Sequence, residues 1–248
     1  MNKPMPYSFY SIALAISVWL LCPYVQAQPD VFILNTSTGA PYTTNNQQGF
    51  QDLIVAEIFK RIGLKGEVGF YESSARALTN ANDNLDQGVV MRVRGLEKKY
   101  PNLVRVDEPL IRNDFVAYSR DLDLKTDSWE SLKPYTVVYI NGWVIFERNL
   151  SPSQQYHTVK TPGQMFAMLE KDRVDLVLYE RWQGLQNALD SGVQVVVHEP
   201  ALASVNMYMY IHKDFAEVAP KIAKALREMK QDGTYQDVYD RTLKVLAK

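Results

Sequence analysis

The sequence predicts an α/β fold built as two units. Short apolar runs alternate with helical segments twice along the chain, and two extended, aromatic-rich stretches stand between the two sets. Such alternation is the pattern of a mostly parallel sheet flanked by helices. With 46% hydrophobic and 22% charged residues in 248, the chain has enough apolar surface for a core, and global disorder is excluded. Single cores become rare as chains approach roughly 250 residues, so the length allows one large domain or two small ones.

Residues 1–27 are set apart from the fold. Lys3 and the free amine form a positive region, Ile12 to Leu21 is apolar apart from one serine, and Val25-Gln26-Ala27 ends in a small-residue cleavage pattern. This reads as a secretory signal peptide cut after Ala27. Its apolar stretch falls short of the roughly 20 residues a membrane span needs. The only cysteine, Cys22, lies inside it, preceded by Leu21 where lipoprotein processing prefers a small residue. The mature chain is therefore expected in the periplasm, soluble, with neither a disulfide framework nor a thiol nucleophile.

In the first unit, Val31 to Leu34 is a buried strand followed by a polar loop from Asn35 to Gln48 that contains Gly39, Pro41 and Tyr42. A helix follows from about Gln51 to Arg61, with Leu53, Ile54, Ile58 and Ile62 on one face and Gly63 as its stop. Val68 to Tyr71 is a second strand, Ser73 or Ser74 caps a helix carrying Ala75 and Leu78, and Val89 to Val93 is a third strand. In the second unit, Thr136 to Ile140 is a strand and Asn141-Gly142 a turn. Thr161-Pro162 then opens a helix with proline at its first position, where the missing N–H costs nothing. Leu176 to Leu178 is a strand, Trp182 to Leu189 a helix, and Val193 to Val197 a strand running into Glu199-Pro200. Phe115 to Ser119 and Asn206 to Ile211 are the two stretches placed to be paired connections between units. A last helix repeats at Val218, Ile222, Leu226 and Met229, breaks at Asp232-Gly233, and gives way to another from about Tyr235.

Charge and motifs exclude several functions. With 27 basic against 28 acidic residues and a net charge of -1, the chain lacks the basic excess of a nucleic-acid binder. His157, His198 and His212 are scattered, with no spacing that predicts a metal site, and no Gly-x-Ser-x-Gly, phosphate-binding or dinucleotide-binding motif is present. No cofactor is expected.

Three elements carry a resemblance. Gly49-Phe50 opens the helix that ends Lys60-Arg61-Ile62-Gly63-Leu64; Arg173-Val174-Asp175-Leu176-Val177 follows; Met229-Lys230-Gln231-Asp232-Gly233-Thr234-Tyr235 comes last. In this order they resemble periplasmic solute-binding proteins of the polar-amino-acid type, over essentially the whole mature chain. The resemblance implies a two-lobed clamp (the type II periplasmic binding fold), each lobe a mostly parallel sheet flanked by helices, joined by two hinge strands. Lobe one is expected over 28–116 plus 208–248 and lobe two over 117–207. It also implies a small ligand enclosed between the lobes and a membrane permease or sensory receptor as partner, the protein itself being a monomer and not an enzyme. A periplasmic dehydratase for cyclohexadienyl acids, with Glu180 as acid, is the catalytic alternative.

Ligand contacts in open α/β sheets gather at the carboxyl ends of strands. That rule, with the resemblance, selects Tyr42 in the loop after the first strand, Arg76 opening the second helix, and Arg92 and Arg94 at the end of the third strand. The two arginines alternate about Val93 and so point to one face; they either bind a ligand carboxylate or form a structural pair with Glu97 or Asp86. In lobe two, Glu180 ends Asp175-Leu176-Val177-Leu178-Tyr179-Glu180 where the family places the acid that meets a ligand amino group; the alternative is a helix N-terminal glutamate serving the dipole of the Arg181 to Leu189 helix. Tyr179 precedes Glu180, and Trp143 follows the Asn141-Gly142 turn as a stacking wall. There is one departure. The family's usual carboxylate-binding arginine is replaced by Tyr100, so either Arg92 or Arg94 substitutes for it or the ligand lacks an α-carboxylate.

Overall fold

A computed structural model describes residues 29–247; the signal peptide expected over 1–27 lies outside the described residues. The strands are β1 (Phe32–Thr36), β2 (Gly66–Phe70), β3 (Gly88–Arg92), β4 (Leu103–Arg105), β5 (Ile111–Ser119), β6 (Val137–Ile140), β7 (Tyr156–Val159), β8 (Leu176–Glu180), β9 (Val196–Val197) and β10 (Ala203–His212). The helices are α1 (Phe50–Arg61), α2 (Ser74–Asn82), α3 (Val144–Asn149), α4 (Pro162–Glu170), α5 (Arg181–Asp190), α6 (Ala219–Gln231) and α7 (Thr234–Thr242). No helix among them is long and apolar enough to cross a membrane.

Strand order is β2-β1-β3-β10-β5-β8-β6-β7, with β4 on β10 and β9 on β5. In the first half β1 pairs in parallel with β2 and β3, and in the second β6 pairs in parallel with β7 and β8. The long antiparallel strands β5 and β10 belong to both halves. They pair with each other only from Ile111 to Phe115 against Met207 to Ala203. Beyond that stretch β10 runs into the first sheet beside β3 and β4, and β5 into the second beside β8 and β9.

This corrects the expected connection, which set Phe115 to Ser119 against Asn206 to Ile211. Exposure explains the shift. Along β10 the residues from Ala203 to Met207 alternate between exposed and half-buried, whereas Tyr208 to His212 are buried without interruption. A strand covered on both faces reads as a continuous apolar run, and a crossing strand with one wet face alternates. The aromatic-rich stretches are therefore the ends of the crossing strands that enter the two cores.

Helix termini follow local chemistry. At the start of α1 the amides of Phe50 and Gln51 donate to the carbonyls of Pro41 and Tyr42 at 3.0 and 2.7 Å, and the Asp52 carboxylate accepts from Gly49 and Thr44 amides. Unpaired first-turn N–H groups are satisfied, and the loop that carries Tyr42 is tied to the helix. Gly49 is needed there, because a Cβ would collide with the Tyr42 carbonyl. Ser73 caps α2, accepting from the Arg76 amide at 3.3 Å, and the Gln164 side chain accepts from the amides of Lys160 and Thr161 to open α4. Ile222, Leu226 and Met229 of α6 are fully buried in the first core, where α6 packs on α1 and α7, each contributing roughly 1.5–3 kcal/mol.

Four cores result. The first gathers Phe32, Phe50, Phe59, Met209 and Leu226, and a smaller one in the same half holds Ala81, Val89, Leu103, Tyr208 and Tyr210; two in the second half are built on Val138, Val177 and Phe166 and on Val137, Leu176 and Phe146. Trp182 of α5 leaves the second half's cores and joins the first, its ring edge-on to Tyr239 of α7 with centroids 5.5 Å apart. Gly184, one turn along α5, lets the helix cross Tyr118, whose hydroxyl donates to the Arg181 carbonyl at 2.6 Å; a Cβ there would strike the phenol ring.

Candidate functional site

The carboxyl ends of the parallel strands present the residues that matter. Thr36 ends β1 and leads into Ser37, Phe70 ends β2 opposite Thr36, and Arg92 ends β3. The Arg92 guanidinium is mostly buried. Its Nη2 donates to Ser37 Oγ at 3.3 Å and its Nη1 to the Met91 carbonyl at 3.1 Å, while Nε is buried without any partner. It takes part in no ion pair among the described residues; burial pulls its pKa down to about 10, with Tyr100 acting in the opposite direction. A buried cation is normally paired, and this one is not.

Arg94 does not share that environment. The strand stops at Arg92, so the alternation expected to put both side chains on one face does not extend to Arg94. It is exposed, donating to the Tyr208 hydroxyl at 3.2 Å and lying over that ring at 5.6 Å. Neither arginine forms the anticipated pair with Glu97 or Asp86: Asp86 accepts from Asn35 at 2.8 Å, and Glu97 Oε2 lies 3.3 Å from the Tyr210 hydroxyl. Arg76 is exposed in the first turn of α2. A groove of about 440 Å³ lies between the loop after β1, at Gly39, Thr43 and Gln47, and Phe70 at the end of β2.

In the second half Trp143 is half-buried at the start of α3. It stacks on Phe146 at 5.9 Å with rings 5° from parallel, and lies 4.6 Å from Tyr179, with Phe115 edge-on. Tyr179 is buried, which pushes its phenol above the usual range. Trp143 is thus the outer member of an aromatic stack on the second half's strand ends.

Tyr42 and Glu180 are brought together. Both are buried, at 0% and 1% exposure, and the Tyr42 hydroxyl donates to Glu180 Oε1 at 2.8 Å, with Asn113 Oδ1 3.3 Å away. Glu180 is also the N-cap of α5, its Oε2 accepting from the Gln183 amide at 2.9 Å. Burial pushes the Glu180 carboxyl up to about 7, against the opposing hydrogen bonds from Gln183 and Tyr42. Arg181 beside it is occupied elsewhere, bidentate on Glu199 at 2.6 and 3.1 Å.

Sequence reasoning did not single out Asn113, Ser37 or the Trp182–Tyr239 contact. Asn113 is the one buried polar residue in the crossing part of β5, which only the fold reveals. The other two depend on partners far along the chain.

Among the described residues no group of three or more His, Cys, Asp or Glu is placed to hold a metal ion.

No protein-family model matches the chain. An uncharacterized protein of Shewanella oneidensis is 28% identical over 152 residues; the match takes in 58% of this chain, which thus spans 58% of the length of that relative. Among solved structures, the chain is similar to the open form of substrate-binding domain 2 of GlnP from Lactococcus lactis. The TM-score is 0.68 at 17% identity, over 88% of this chain and 97% of that one. It is also similar to a histidine kinase sensor domain that resembles periplasmic binding proteins, with a TM-score of 0.64 at 12% identity over 86% and 95% of the two chains. These likenesses establish the fold: a two-lobed α/β clamp of the type II periplasmic binding kind.

Proposed function

We propose that the protein is a periplasmic solute-binding protein that encloses a small polar ligand between its lobes and offers the closed form to a membrane permease or receptor. The observation that carries this reading is the unpaired Arg92 guanidinium at the carboxyl ends of β1 and β3, in a fold whose two halves are crossed by the paired strands β5 and β10. A ligand touching both lobes drives closure to the extent that it binds the closed form better than the open one. The lobes divide, in this reading, at 116/117 and 207/208. Arg92 anchors the ligand from lobe one, and Trp143 forms the wall in lobe two, with Tyr179 behind it. Tyr42 and Glu180 act as the joint between the lobes, and Arg76 and Arg94 lie at the margin.

The likeness to a histidine kinase sensor domain supports a receptor as partner equally with a transporter. The catalytic alternative asks Glu180 to act as a free acid. Both its oxygens are engaged by the chain itself, which favours binding without turnover. A thermal-shift panel of amino acids, polyamines and organic acids on residues 28–248, with product analysis of every hit, tests the reading. A ligand at 100 times its Kd adds about 2.7 kcal/mol of stability and is returned unchanged. Conversion of a hit to a new compound would replace the binder by an enzyme.

A further inference from the structure

Two features of the same molecule point in one direction. The first is a cation without an anion. Arg92 has its Nε buried and unpartnered, and its two other contacts are a hydroxyl and its neighbour's carbonyl, both longer than 3.0 Å. An ionised guanidinium makes its strong bonds to carboxylates or phosphates, two parallel N–H groups at a time. The second is an acid closed off from solvent. Glu180 is 1% exposed, with one oxygen on Tyr42 and the other on Gln183. An ammonium group seeking it would have to displace the Tyr42 phenol, itself buried and tied through its backbone to the start of α1.

Exposed apolar side chains stand at the strand ends that carry Arg92 and Trp143. Phe70 pairs with Thr36, one residue before the Ser37 that Arg92 touches, and its side chain is 50% exposed; Val93 follows Arg92 and is 48% exposed. In the second half Val144, next to Trp143, is 47% exposed. Isolated apolar residues on a surface are ordinary, but these three all stand at or just past the carboxyl ends of strands, the ends that also carry Arg92 and Trp143.

Building on the solute-binding reading, we infer that the ligand is a carboxylate with an apolar body and no amino group, a deaminated acid and not an α-amino acid. Its carboxylate takes the free edge of the Arg92 guanidinium, and its body lies against Phe70, Val93 and the Trp143 wall. Glu180 has no part in holding it.

Two matched sets of probes test this by calorimetry at pH 7.5 on wild-type residues 28–248. One is 3-phenylpropanoate, L-phenylalanine and phenethylamine; the other is 4-methylpentanoate, L-leucine and 3-methylbutylamine. Each set holds the body constant and removes one charge at a time. The expected result is that at least one acid binds ten-fold or more tighter than its matched amino acid, while the amines give no heat. Arg92→Gln should then weaken the acid ten-fold or more. The wild-type comparison stands even if a variant fails to fold. Should an amino acid or amine bind as tightly as its matched acid, the class is overturned and the clamp is kept. Heat from none of the six also overturns the class, and the clamp then rests on the wider panel.

Discussion

The phenol of Tyr42 and the carboxylate of Glu180, 138 residues apart in sequence, meet at 2.8 Å with both side chains out of solvent. The bond ties the loop after β1 to the end of β8, and so one half of the molecule to the other. Removing the hydroxyl in Tyr42→Phe leaves a buried carboxylate oxygen short of a donor, a loss of about 1–3 kcal/mol. Chemical denaturation at pH 8 should show that loss, and show it smaller in a Glu180→Gln background. Equal losses in both backgrounds would mean that the two groups do not interact.

Glu180 should also write itself into the pH dependence of stability. Its carboxyl titrates at about 7 in the folded chain against an ordinary 4.5. Between those values the folded protein holds a proton that the unfolded chain has released, so this group's contribution falls as pH rises through the window and is constant above it. At about 1.36 kcal/mol per unit, the fall is on the order of 3 kcal/mol. Glu180→Gln should therefore gain stability over wild type at pH 8 and differ little from it near pH 4.5. Parallel stability curves for the two proteins would contradict the burial of a titrating carboxyl here.

Gly184 makes a steric prediction with an internal control. A methyl group at Gly184 meets the Tyr118 ring, whereas one at Gly163 in α4 meets nothing within 4 Å. Gly184→Ala should cost about 1–3 kcal/mol by overpacking, and Gly163→Ala should gain up to about 1 kcal/mol from helix propensity. Thermal melts of both variants read the contrast directly.

Much of this architecture is legible in the residues themselves. The α6 period and the proline at the first position of α4 announce those helices, because burial on one stripe leaves a 3.6-residue repeat. β7 leaves no such trace: Tyr156, His157 and Thr158 are exposed on an edge strand that has no buried face to impose alternation. β4 is three residues long, α3 six, and β9 keeps only two of the residues expected from Val193 to Val197. At the site, Arg92 stands out at a strand end, but its missing counter-ion does not, since that depends on Ser37 and on no acid among the described residues folding to pair with it. Tyr42 and Glu180 could each be picked out, but their contact could not, because it exists only once β5 and β10 set the halves in place.

Trp182 tests the same joint from the apolar side. It belongs by sequence to the second half and packs in the core of the first, 7% exposed and edge-on to Tyr239. Trp182→Ala should cost about 3–5 kcal/mol, measured by denaturant midpoint. A cost under about 1 kcal/mol would show that the indole is not held there.

Small-angle scattering on residues 28–248, with and without a compound that calorimetry has shown to bind, tests the central claim most directly. A clamp hinged on β5 and β10 must become more compact when it grips its ligand, so the radius of gyration should fall and the two curves should separate. Superimposable curves at saturating ligand would contradict the clamp.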